Sequence, residues 1–179
     1  MKDLFLRVDG ISTEEQAIIW CITAALQRNK VYRNDEGDEI RKRFRAKWAD
    51  LIREESKAYC KPPQPISDES HCAAIKRISS ELSAKFGEYL CGGRLRFGTS
   101  QKAFNLYLKY LWAMGKIEMP PHCPIDSVVL ARIGVTDSWT KRDSCEDYMR
   151  WVNKIREQLT LTQWENEVWL RWRLTNSDL

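Results

Sequence analysis

Apolar residues recur along this chain at intervals of three and four, and no stretch of useful length alternates with a period of two. That spacing predicts an all-α fold. Ser12 with Glu15 three positions on has the capping-box pattern, and Ala17, Ile18, Cys21, Ile22, Ala25 and Leu26 carry a first helix to about Tyr32. Residues 34–37 read as a turn. From Asp38 a second helix lines up Ile40, Phe44, Trp48, Leu51 and Ile52 on one stripe, with Arg41, Lys42, Arg43, Arg45 and Lys47 on the other face. Glu39, Asp50, Glu54 and Glu55 offer those cations partners within the helix, which favours a solvated face over a phosphate contact.

Lys61, Pro62, Pro63, Gln64 and Pro65 end that helix and form a stiff connection, a candidate lobe boundary near residues 60–67. A third helix, Asp68 to Phe86, carries Cys72, Ile75, Ile78, Ser79, Leu82 and Phe86 at helical spacing, with Gly87 to stop it or to admit close packing. Next comes a helix starting near Gln101. Phe104, Leu106, Leu108, Leu111 and Trp112 read as its core face, and Tyr107, Lys109 and Tyr110 as nearer the surface. A proline-rich crossover then delivers Asp126 to another helix start. Asp143 begins a helix with Tyr148, Met149, Trp151, Val152 and Ile155 inside, and a last one follows Thr160 with Trp164, Val168, Trp169 and Trp172.

With 179 residues and 43% hydrophobic content the chain can bury one substantial core, so residues 1–179 are expected as a single domain. A formal charge of +4 is only mildly basic, which points to a local basic surface and not to binding by bulk charge. Residues 1–10 contain no apolar run fit for a signal peptide, and no membrane-spanning run follows. A cytoplasmic, reducing location, no membrane partner and a monomer are the expectations. The six cysteines lack any C-x-x-C pair, and the neighbouring pairs His71 with Cys72 and His122 with Cys123 point in different directions on a helix. No metal site is expected from this spacing.

Candidate chemistry gathers between Gly92 and Gly134. Gly92, Gly93 and Gly98 permit crowded or left-handed backbone that turns N–H groups toward an anion, and Arg94 and Arg96 add charge beside them. Thr99 and Ser100 suit the N-cap of the helix near Gln101, whose positive end faces the same side. An ordinary glycine loop between helices explains the same residues. Lys102 falls in the first turn, where the dipole disfavours a cation and favours the neutral, nucleophilic amine; a lysine that merely touches phosphate is the alternative. Asp126 follows Pro124 and Ile125 into a helix start, where it stays ionised and where a plain cap is the simpler explanation.

Taken together, Gly98, Thr99, Ser100, Gln101, Lys102 and Ala103, followed by Pro124, Ile125, Asp126, Ser127, Val128 and Val129, resemble the helix-hairpin-helix superfamily of DNA base-excision glycosylases. In that family a glycine hairpin precedes a catalytic lysine, and a P-[VI]-D segment supplies a catalytic aspartate. Three departures stand out: Ser100 replaces the second hairpin glycine, Val128 stands where many members have histidine, and the interval from lysine to aspartate is long. The long interval looks more like the archaeal-type oxidised-guanine glycosylase branch.

The resemblance implies a compact bundle of two helical lobes with a helix-hairpin-helix element and an active-site cleft between the lobes. It implies DNA as the partner, Lys102 and Asp126 as the catalytic pair, and excision of a flipped damaged or modified base, with or without AP-lyase activity, in repair or in defence against modified phage DNA. DNA contacts are expected from Gly92, Gly93, Arg94, Arg96, Gly98, Thr99, Ser100 and Gln101. Trp139 lies in a polar loop with Lys141 and Arg142, where the aromatic can stack on a base and the cations can meet phosphate. His122 is the other base-pocket candidate. The competing reading is a non-catalytic helical DNA-binding or protein-interaction module.

Overall fold

The computed structural model describes residues 6–7, 9–27, 29–33 and 37–157, all helices and connections. Helix α1 spans Glu14–Leu26. Its capping box lies one residue later than the sequence suggested: Thr13 Oγ1 accepts from Gln16 N–H at 3.2 Å, and Gln16 Oε1 accepts in return from Thr13 N–H. The helix stops at Leu26, short of Tyr32. The chain turns away because Asn29 donates to Thr99 Oγ1 at 2.9 Å, and Tyr32 forms an isolated antiparallel bridge with Leu90.

Helix α2 is Asp38–Ser56, with Phe44, Trp48, Leu51 and Ile52 buried as the stripe predicts. Phe44 meets Tyr32, Trp48 and Phe86 edge-on, with centroids 5.4 to 5.6 Å apart. Two of its charges find partners on the next helix: Glu55 takes Arg77 in a bidentate pair at 2.7 and 2.8 Å, and Lys47 meets Glu81 at 3.6 Å.

Helix α3 spans Asp68–Phe86 and is capped by Ser67, whose Oγ accepts from Ser70 N–H at 3.2 Å. Gly87 carries on into a 3₁₀ turn. Its use is space, since a Cβ there would sit 2.6 Å from the Gly93 carbonyl oxygen.

Helix α4, Phe97–Ala113, is the centre of the molecule, and 16 of its 17 residues are buried. It begins well before Gln101. Helices α1 and α3 pack against it, and the 3₁₀ turn Trp139–Lys141 lies against it as well. Enclosure of that kind leaves no solvent face, so Tyr107, Lys109 and Tyr110, expected nearer the surface, are all buried.

Two helices complete the described chain: α5, Ser127–Arg132, and α6, Cys145–Arg156. Ser144 caps α6, so this helix starts two residues after Asp143. The buried apolar residues from Ile11 to Ile155 form one continuous cluster. Among the described residues there is no strand, and no helix is long and apolar enough to cross a membrane. The helix expected after Thr160 lies outside the described residues.

Candidate active site

The first turn of α4 decides what the glycine-rich stretch can do. Gly92 and Gly93 have φ of +71° and +75° and are exposed, so the left-handed backbone expected of them is there. Gly98 is different. It lies inside the helix, its N–H donates to the Arg142 carbonyl at 2.9 Å, and a Cβ on it would fall 1.8 Å from the Trp139 carbonyl oxygen. Its glycine serves close approach of the helix and the 139–142 loop.

Arg96 is the N-cap residue, so Thr99 and Ser100 are not caps. Both are buried, with Thr99 Oγ1 accepting from Asn29 and Ser100 Oγ donating to the Ile75 carbonyl at 3.3 Å. Gln101 is buried too, bonded to Ile125. The expectation that Gly98, Thr99, Ser100 and Gln101 meet phosphate is therefore corrected: helix packing has claimed all four.

The cations remain at the surface. Arg94 and Arg96 both reach the carboxylate of Asp143, at 2.7 and 2.6 Å. Arg142 holds Asp137 at 2.6 Å and Asp147 at 3.4 Å, and Lys141 is exposed. Trp139 is half-buried against the core.

Lys102 and Asp126, separated by 24 positions in sequence, meet in an ion pair between Nζ and Oδ2. Lys102 stands in the second turn of α4, beyond the strong part of the dipole, so its environment is set by the carboxylate. Asp126 caps α5: Oδ1 accepts from Val128 N–H at 3.0 Å and from Val129 N–H at 3.2 Å. The two side chains are 9% and 18% exposed, which leaves the pair reachable only at its edge. Burial pushes the Asp126 carboxyl up, but the neighbouring ammonium and the two N–H groups outweigh it and hold the group below its ordinary range.

Behind this pair runs a polar network that the sequence reading missed. Asn105 Nδ2 faces the Cys123 carbonyl at 3.0 Å and Tyr148 Oη at 2.9 Å. A carbonyl only accepts, so the amide nitrogen is fixed there and Asn105 Oδ1 faces His71 Nε2, at 2.8 Å. His71 therefore carries its proton on Nε2, and its Nδ1 accepts from the Tyr59 hydroxyl at 2.7 Å. On the other branch, His122 Nε2 donates to Asp68 Oδ1 at 2.8 Å, and His122 Nδ1 accepts from Tyr148 Oη at 2.8 Å. Asp68 in turn holds Arg156 through both oxygens at 2.7 and 2.8 Å. Asn105 Nδ2 shares its two hydrogens among three acceptors, the Cys123 carbonyl, Tyr148 Oη and Gln101 Oε1, and both imidazoles are neutral. His122 is fully buried with both ring nitrogens engaged, which removes it from the base-pocket candidates. One signal was available: His71 falls in phase with Ile75, Ile78 and Leu82 on the core stripe of α3, and Asn105 in phase with Leu108 on α4.

The network makes stability depend on pH. Burial pushes His122 down to about 4, against the raising effect of Asp68, and burial pushes His71 down also. An unfolded histidine titrates near 6.5, so the unfolded chain binds protons first as pH falls. The contribution is complete above about 6.5 and is lost as pH falls toward about 4. His122 alone accounts for on the order of 3 kcal/mol. Urea unfolding between pH 7.5 and 4 should give steadily falling stability, and a flat profile across that range would contradict the neutral assignment.

Three surface cavities of about 580, 560 and 500 Å³ lie elsewhere, with neither Lys102 nor Asp126 in their walls. Among the described residues no group of three or more His, Cys, Asp or Glu side chains is placed to hold a metal ion. Set against protein-family models, curated proteins and solved structures, the chain finds no match.

Proposed function

We propose that this chain is a DNA N-glycosylase, with or without AP-lyase activity, that excises a damaged or modified base through Lys102 and Asp126. The observation that carries the reading is the contact between Lys102 Nζ and Asp126 Oδ2, made across 24 residues by the two groups the resemblance singled out. Phosphates are met by a basic patch in which Arg94, Arg96, Lys141 and Arg142 gather round Asp143 and the 139–142 loop. The exposed Gly92 and Gly93 backbone lies beside it, and Trp139 is the aromatic at hand for stacking.

The chemistry follows from the pair. A flipped nucleotide presents its sugar to Lys102, at a cost of a few kcal/mol in unstacking. The ammonium must lose a proton before it attacks, and Asp126 Oδ2, already its acceptor, receives it. The amine lone pair then forms a bond to C1′ as the glycosidic bond breaks, and the base departs with the bonding electrons and takes up a proton. The departing base takes that proton from Asp126, which is again an anion and stabilises the positive charge on the sugar. Ring opening gives a Schiff base, from which elimination cleaves the strand. If water replaces the amine as nucleophile, the product is an abasic site without a nick.

A second reading, a non-catalytic DNA-binding or protein-interaction module, is favoured by one observation: the three cavities lie away from the pair. Incubation with genomic DNAs carrying different modified bases, followed by mass spectrometry of what is released, separates the two. Release of one base species supports the glycosylase and names its substrate, and so distinguishes repair from defence. No release from any DNA that the protein binds supports the module.

The basic patch has its own test. Replacing Arg94 and Arg96 together by alanine should weaken duplex binding about equally across sequences and reduce the slope of log K against log salt by roughly 0.9 per lost phosphate contact. An unchanged slope would remove these arginines from the DNA surface.

A further inference from the structure

We propose that Gln101 is a positioning residue that sets Asp126 against Lys102 by clamping the backbone of Ile125. Its amide Nε2 donates to the Ile125 carbonyl at 2.6 Å, and its Oε1 accepts from the Ile125 N–H at 3.2 Å. Both polar groups of one backbone residue are thus held by one side chain. That residue immediately precedes Asp126, and Gln101 immediately precedes Lys102, so the two members of the pair are tied together one position upstream of each.

The clamp is braced. Asn105, one turn along α4, donates to Gln101 Oε1 at 3.2 Å while also holding the Cys123 carbonyl. The crossover from 117 to 126 contains Pro120, Pro121 and Pro124 and belongs to no helix, so it has no backbone ladder to hold its register. Ile125 is fully buried. Without Gln101 its N–H and carbonyl would be buried and unpaired, which costs more than an absent contact elsewhere. An ion pair to a long, flexible lysine does not locate a carboxylate to within the ~0.5 Å that a reacting group requires, whereas two short bonds to the adjoining peptide do.

The geometric part of this role holds for the free protein, and its catalytic consequence rests on the glycosylase reading. The variants are Gln101→Met, close in size and without the amide, and Gln101→Asn, which keeps an amide one methylene short of Ile125. Both are uncharged, so neither perturbs Asp126 by repulsion. The charged group facing Asp126 is Lys102 of α4. Carbon-detected NMR titration of the Asp126 carboxyl should show its midpoint rising toward the ordinary carboxylate range in both variants, as the ammonium is no longer held against it. If Gln101→Met fails to fold, Gln101→Asn decides.

Single-turnover base release should fall about 100-fold, the usual cost of misplacing a reacting group by about 1 Å. The DNA dissociation constant should stay within about twofold, since Gln101 is buried away from the DNA. A lower melting temperature with an unmoved Asp126 midpoint would overturn the proposal and leave Gln101 a purely structural residue. The two readings fail separately. An unmoved midpoint in variants of an active enzyme sinks the clamp alone, and a moved midpoint in a protein that releases no base sinks the glycosylase alone.

Discussion

Lys102→Gln is expected to abolish the covalent protein–DNA adduct trapped by borohydride, and to lower base release by about 1000-fold or more if the enzyme proceeds through an imine. Glutamine is the informative substitution because its amide still donates to Asp126 Oδ2, so the carboxylate keeps a partner in its nearly dry site. Truncation to alanine would confuse lost chemistry with an unpaired charge. Asp126→Asn isolates the other half. Asparagine Oδ1 still accepts from Val128 and Val129 N–H and caps α5 while the charge that stabilises the developing cation is removed; its amide nitrogen then faces the Lys102 ammonium, so the melting temperature is measured beside the rate. A loss of about 100- to 1000-fold is expected, as for removal of one preorganised electrostatic group. An adduct that persists in Lys102→Gln would move the nucleophile to another amine, and intact base release in both variants would remove the pair from catalysis.

Gly98→Ala is expected to destabilise the fold although alanine is the better helix former. In an open helix the change would gain about 1 kcal/mol. Here the new methyl would meet the Trp139 carbonyl oxygen at 1.8 Å, its carbon at 2.9 Å and the Arg142 carbonyl oxygen at 3.3 Å. These are backbone atoms, so the helix and the 139–142 loop must part, and the bond from Gly98 N–H to Arg142 is lost with them. Overpacking of this kind costs about 1–3 kcal/mol or more. For a chain of this size that lowers the melting temperature by roughly 2–12 °C. A raised melting temperature would mean that helix start and loop are not in contact. The outcome also bears on the glycine's role, because a phosphate-binding glycine would cost affinity and leave stability largely alone.

These three residues mark the limits of what the sequence discloses. Helix α3 was legible from Asp68 to Phe86 because an apolar period and a following glycine agree locally after the prolines. The pairing of Lys102 with Asp126 was implied only by the resemblance, since taken singly they read as a surface lysine and a helix cap, and the structure brings the two side chains into contact. The start of α4 was not. Gly98, Thr99 and Ser100 have poor helix propensity and good turn propensity, and a loop more than forty residues away, together with α3 and the Asn29 turn, overrides that preference. Tyr107, Lys109 and Tyr110 were misread for a related reason, since an amphipathic period assumes that a helix has a solvent side. The network through His71, Asn105 and Tyr148 leaves almost no local mark, because its members lie on three different helices and acquire meaning only when brought together.

That network has an arrow. Tyr59 gives its proton to His71, His71 to Asn105, Asn105 to Tyr148, Tyr148 to His122, and His122 to the carboxylate of Asp68. Hydrogen bonds aligned head to tail polarise one another. The negative charge at the rim therefore tightens links far inside the protein. A proton on Asp68, or a cation that displaces Arg156 from it, would weaken that polarisation along the line.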